Sequence, residues 1–125
     1  MTVRLFSSTS VETTLASGIS STATSMTVAA GTGSSLTNGV TIAAGTQFTV
    51  AIDPDTTSEE IVFITAQSTD TFTITRGRAG SSQIAQSAGA TVRHVLTSDD
   101  LDYFNNAIQS SVALPGTPTI EGGTP

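Results

Sequence analysis

The 125-residue chain carries a formal charge of −6 from four Arg, no Lys and ten carboxylates, which leaves no basic patch for nucleic acid and disfavours docking on an anionic membrane. It lacks cysteine, so disulfides, thiolate chemistry and Cys-based zinc sites are excluded. Its length suits one domain with a modest core, and Ser plus Thr, roughly a third of the residues, favour strands that present Thr to water.

In chain order, residues 1–12 read as an N-terminal arm or edge strand in which Val3 and Leu5 alternate with polar neighbours. No apolar h-region follows Arg4, so no secretory signal is expected, and no run reaches the length of a transmembrane helix. Thr13–Ala30 places Leu15, Ile19, Met26 and Val28 among small polar residues, with a strand expected over Thr24–Val28 and a turn at Gly31-Thr32-Gly33. Gln47–Ile52 is a second strand, ended by Asp53-Pro54-Asp55, where proline cannot continue a ladder.

The strongest local signal is a hairpin, Glu60–Thr65 and Thr71–Arg76, joined by a polar loop over Ala66–Asp70. Symmetric closure would put Thr65 opposite Thr71 and Glu60 opposite Arg76. Period-2 alternation then gathers Val62, Ile64, Phe72 and Ile74 on a core face, with Ile61, Phe63 and four Thr on the other. Glu60 and Arg76 would close the open end of the apolar face as an opposite-charge pair worth roughly 0.2–1 kcal/mol. Gly77, Gly80 and Gly89 punctuate an irregular loop, each suited to positive φ. A closing strand follows over Thr91–Val95. Thr97-Ser98-Asp99-Asp100 supplies a hydroxyl cap and first-turn acids for a helix near 98–109. Leu101, Phe104 and Ile108 recur at helical spacing as one apolar stripe, counted with the core, and the helix is expected to pack on the sheet or on a partner. Residues 112–125 hold three of the four prolines and Gly116, Gly122 and Gly123, a composition read as a C-terminal arm. The whole predicts a mainly β chain: a small antiparallel β-sandwich or barrel-like domain over 13–111, one short C-terminal helix, and extended N- and C-terminal arms.

No pattern of residues reads as an active site. His94 stands beside Arg93 in a strand without a nucleophile or an orienting partner in any motif. Counting from Asp53, the sixth and twelfth positions of an EF-hand loop are Ser58 and Ile64, where glycine and glutamate are required. Gly31-Thr32-Gly33 lacks the rest of a dinucleotide fingerprint. No catalytic residue, metal site or cofactor is expected.

The segment EIVFITAQSTDTFTITRGRAGSSQIAQSAGATV nevertheless resembles a unit found in small structural proteins of tailed bacteriophages. Its pattern is a glutamate opening a strand (Glu60), a polar turn, a second strand ending in Arg-Gly (Arg76-Gly77), a Gly-Ser step (Gly80-Ser81), and Gly-Ala before a final strand (Gly89-Ala90). With TLASGISSTATSMTV upstream, the resemblance spans roughly Thr13 to Thr97. Gln86 stands where such proteins often carry histidine. The resemblance implies a non-enzymatic virion component made in the host cytoplasm, an assembly or adaptor module of the tail, baseplate or fibre-attachment region. Capsid decoration and host-glycan binding are the alternatives. Its implied partners are copies of itself, in a symmetric homo-oligomer, and other virion proteins.

Overall fold

The computed structural model describes residues 3–111; the arm expected over 112–125 lies outside the described residues. In chain order the elements are β1 (Val3–Leu5), β2 (Thr13–Thr14), β3 (Ser25–Thr27), α1 (Gly33–Leu36), β4 (Thr46–Ile52), β5 (Glu60–Ser68), β6 (Thr71–Arg78), β7 (Thr91–His94) and α2 (Ser98–Ser111). The chain is thus mainly β with a short C-terminal helix. No helix among the described residues is long and apolar enough to cross a membrane.

The strands form one sheet in the order β2-β7-β4-β5-β6-β3. β4 is its centre: β5 runs antiparallel along one edge, while β1, in parallel, and β7 share the other. The sheet curls into a half-barrel until its ends meet. Ala16 N–H donates to Thr27 at 2.9 Å and Ala29 N–H donates to Thr14 at 2.9 Å, closing a bridge between Leu15 and Val28. The curl gathers Leu15, Met26, Val28, Phe48, Val50, Ile52, Val62, Ile64, Phe72, Ile74 and Val92 on the concave side. α1 adds Leu36, which is fully buried.

The sequence-predicted hairpin forms, in a different register. Its turn is only Thr69-Asp70, because β5 continues through Ala66, Gln67 and Ser68. Thr71 therefore pairs with Ser68, and Ile74 with Ile64. At the centre of the hairpin this is a slip of two residues from the expected pairing, and an even slip returns every side chain to its face. Val62, Ile64, Phe72 and Ile74 are accordingly buried together. Two register shifts interrupt the ladder, one near Thr65 and one where Arg76 and Gly77 oppose Val62. Gly77 there has φ +59, a left-handed conformation that suits the extra residue of a bulge. The other face is covered only along β5, where Ile61 and Phe63 are buried, Phe63 1% exposed beneath the guanidinium groups of Arg4 and Arg78; Thr71, Thr73 and Thr75 on β6 stay exposed.

The Gly31-Thr32-Gly33 turn opens the one-turn helix α1. Asp70 in the hairpin turn accepts from the Gly31 and Gly33 N–H groups at 3.0 and 2.9 Å, supplying the acceptor that Thr32 does not. The approach is so close that a Cβ on Gly33 would sit 2.2 Å from the Thr69 carbonyl oxygen.

One expectation is overturned. Leu101, Phe104 and Ile108 do not join the core; they are 52%, 57% and 42% exposed. The concave side is already filled, and α2 lies over the opposite side of the sheet, held there by polar groups at its first turn.

Candidate interaction surface

The residues of the hairpin motif form a buried ion-pair network. Glu60 is fully buried and Arg76 nearly so. Arg76 Nε and Nη2 donate to Glu60 Oε2 and Oε1, both at 2.8 Å. Glu60 also accepts from Gly77 N–H at 2.9 Å and Ile84 N–H at 3.2 Å. Arg76 Nη1 donates to the Ser20 and Ala23 carbonyls at 2.8 and 3.0 Å, and Nη2 to that of Ile84. The pair is therefore a fastener between the hairpin, the 19–24 segment and the 83–86 loop, rather than a rim contact. Burial pushes the Glu60 carboxyl up, but the hydrogen bonds from Arg76, Gly77 and Ile84 and the Arg76 charge outweigh it and hold the group below the usual carboxylate range. Gln86 donates to the Ser58 carbonyl at 2.9 Å, tying the same loop to the β4–β5 connection. Gly80 and Gly89 both take positive φ (+84) in turns, and Gly89 N–H donates to Leu15 at 2.8 Å. These residues fix the scaffold and present no reactive group.

The second polar cluster seats α2. Thr97 and Asp100 form a capping box: Asp100 N–H donates to Thr97 Oγ1 at 3.2 Å, and Thr97 N–H donates back to Asp100 Oδ2 at 3.0 Å. Asp100, 1% exposed, also accepts from Thr49 Oγ1 on β4 and Arg4 Nη1 on β1, each at 2.9 Å. Arg4 reaches Asp99 at 2.9 Å as well, and its guanidinium lies 4.2 Å from the Tyr103 ring centroid and 4.9 Å from that of Phe63. Burial lowers the Arg4 pKa, and the two carboxylates more than reverse that. Arg4 Nε is buried without a hydrogen-bond partner, an expense of about 1–3 kcal/mol that the ion pairs and ring contacts must offset. The acids at 99 and 100 thus serve both the helix start and the attachment to the sheet.

This seating turns the apolar stripe of α2 outward. Asp100, Tyr103 and Ala107 are its less exposed side, and Leu101 and Phe104 lie about one residue, roughly 100°, around the helix from them. Together with Phe6 (45% exposed) and Leu96 (60% exposed) they wall an open groove of about 480 Å³ floored by His94 and Val95. Its lining is almost wholly apolar. His94 stacks on Phe48, centroids 4.0 Å apart and planes 12° apart. Its Nδ1–H donates to the Thr49 carbonyl at 2.7 Å and its Nε2 accepts from Ser7 N–H at 3.2 Å, which defines a neutral imidazole. Burial lowers its pKa, against smaller raising effects of Thr49 and Asp100. The ring is committed to structure on both nitrogens.

The sequence-predicted site residues fall into two places. Glu60, Arg76 and Gly77 meet at one end of the half-barrel, with Gly80 and Gly89 in nearby turns; Leu101, Phe104 and Ile108 stand on α2, apart from Val62, Ile64, Phe72 and Ile74. Sequence reasoning missed Arg4, Phe6 and Leu96. An isolated Arg in an edge segment carries no periodic signal, and the pairing of β1 with β4, more than forty positions away, brings it to α2. Among the described residues no group of three or more His, Asp or Glu could hold a metal ion. Compared with known proteins, the chain matches no family model, and no curated protein shows significant similarity to it.

Proposed function

We propose that this chain is a non-catalytic structural module of a tailed-phage virion, an assembly or adaptor piece placed by contacts with its neighbours. The observation that carries the reading is the open apolar groove between β1, β7 and α2. A contiguous exposed apolar patch marks an interaction site, and Ser7, His94 and Asp100 beside it are engaged in internal hydrogen bonds. The hairpin residues that carry the resemblance to phage proteins support the same reading, since they build a rigid scaffold around a buried pair. Placement in the tail, baseplate or fibre-attachment region, in preference to capsid decoration, rests on that resemblance.

The test is quantitative mass spectrometry of purified virions of the phage that encodes the chain. The expected result is a fixed integer ratio to other virion proteins, low for a tail or baseplate ring and in the hundreds for decoration. Absence of the chain from purified particles overturns the proposal.

A further inference from the structure

We infer that the groove formed by Phe6, Leu96, Leu101 and Phe104 is closed by the same face of a second copy of this chain. The inference rests on the structural reading above and names the partner of that surface.

Charge selects the occupant. In a chain of net charge −6, a face that pairs with itself is favoured where it brings no exposed carboxylates against one another. Among the described residues lining the groove, the only acid is Asp100, which is 1% exposed and bound to Arg4, and the only imidazole is neutral. Counting Leu101 and Phe104 as the a and d positions of a heptad, the flanking e and g positions on either side are Asn105, Ala107 and the buried Asp100. Asp99 and Asp102 then fall at f and b, away from a helix packed against the stripe. A basic partner would find no accessible carboxylate within the groove, whereas a second copy meets no like charge.

Shape and area agree. Leu101 and Phe104 form a ridge beside the groove that Phe6 and Leu96 border, so a two-fold axis would seat each ridge in the other copy's groove, as an isologous contact requires. With on the order of 200 Å² for a fully exposed Phe or Leu, the exposures above leave roughly 400 Å² of apolar side chain per copy. Doubled and given a polar rim, this approaches the lower bound of about 1,000 Å² for a specific interface. An interface of that size belongs to the weak, reversible class.

The test is sedimentation equilibrium of the full chain, wild type and the Leu101→Ser/Phe104→Ser double variant, with thermal melting of both and Val11→Ser as a control. Val11 is 56% exposed and does not line the groove. The expected result is a concentration-dependent doubling of mass in the wild type and in Val11→Ser, with Kd raised at least tenfold in the double variant and little change in its melting as a monomer. A wild type that stays monomeric to about 100 µM overturns the inference. So does self-association that the double variant leaves intact, which would move the contact to another face. A monomeric wild type whose melting temperature falls by several degrees in the double variant would assign the groove to residues 112–125 of the same chain. None of these outcomes touches the virion reading, which stands or falls on particle composition.

Discussion

At the residue scale the decisive group is the Glu60–Arg76 pair, because it is a buried charge pair with all of its strong partners inside the chain. Removing one charge from such a pair strands the other in a low-dielectric setting, which costs about 3–5 kcal/mol where a solvated pair would cost under 1. Glu60→Gln keeps the shape, and its amide can still accept from one of the two backbone N–H groups. It is expected to lose about 3 kcal/mol in urea unfolding, and Arg76→Met more, since that change also strands the carbonyls of Ser20, Ala23 and Ile84. A loss below 1 kcal/mol for Glu60→Gln would mean that water reaches the pair. His94 is the second residue with a measurable signature, and as the only histidine it gives one set of imidazole signals. Its folded pKa lies below the ordinary 6.5, so between those two values the unfolded chain binds more protons. Stability is therefore full above pH 6.5 and falls as pH drops from 6.5 to the folded pKa. Protonation would also turn Nε2 into a donor facing the Ser7 N–H, breaking the tie between β7 and the segment that follows β1. An NMR titration is expected to show a midpoint below 6.5, with the melting temperature beginning to fall on the acid side of that value. A midpoint at or above 6.5 would contradict the assignment of a neutral, buried ring.

At the scale of elements, what was legible in the sequence was whatever a local pattern fixes. Alternation over Glu60–Arg76 identified the hairpin and its core face, and hydroxyl-plus-acid chemistry at 97–100 located the start of α2. The register was not local. The extension of β5 through Ala66-Gln67-Ser68 and the bulges near Thr65 and Gly77 moved the pairing, and the core assignment survived only because the slip was even at the centre of the hairpin. The orientation of α2 was not local either. Its stripe at 101, 104 and 108 has the spacing of a core-facing helix, yet Arg4, Thr49 and Asp100 fasten the helix by a neighbouring side. A helix packs by its apolar stripe when apolar surface awaits it; here the sheet beneath offers Thr49 and a guanidinium between two rings. Likewise the Glu60–Arg76 pair was legible as a pair but not as a buried one, because the carbonyls and N–H groups that enclose it come from the 20–23 and 77–84 segments.

At the scale of the whole molecule, an uncharged apolar face on a strongly acidic chain has a consequence opposite to that of most charged-protein complexes. Two copies at −6 each repel one another at long range, and with all four arginines engaged internally or against rings, attraction at the contact has to come from apolar burial. Added salt shortens the Debye length from about 14 Å at 0.05 M to about 4 Å at 0.5 M, which weakens the repulsion and leaves the apolar term in place. Self-association is thus expected to strengthen several-fold between 0.05 and 0.5 M NaCl in sedimentation experiments at pH 7.5, where His94 is neutral. Association that weakens over the same range would locate the contact at ion pairs, with Arg78 and Arg93, the two most exposed cations, as the groups to examine. The sign of the salt effect therefore separates an interface built on α2 from one built on the charged rim of the sheet, before any variant is made.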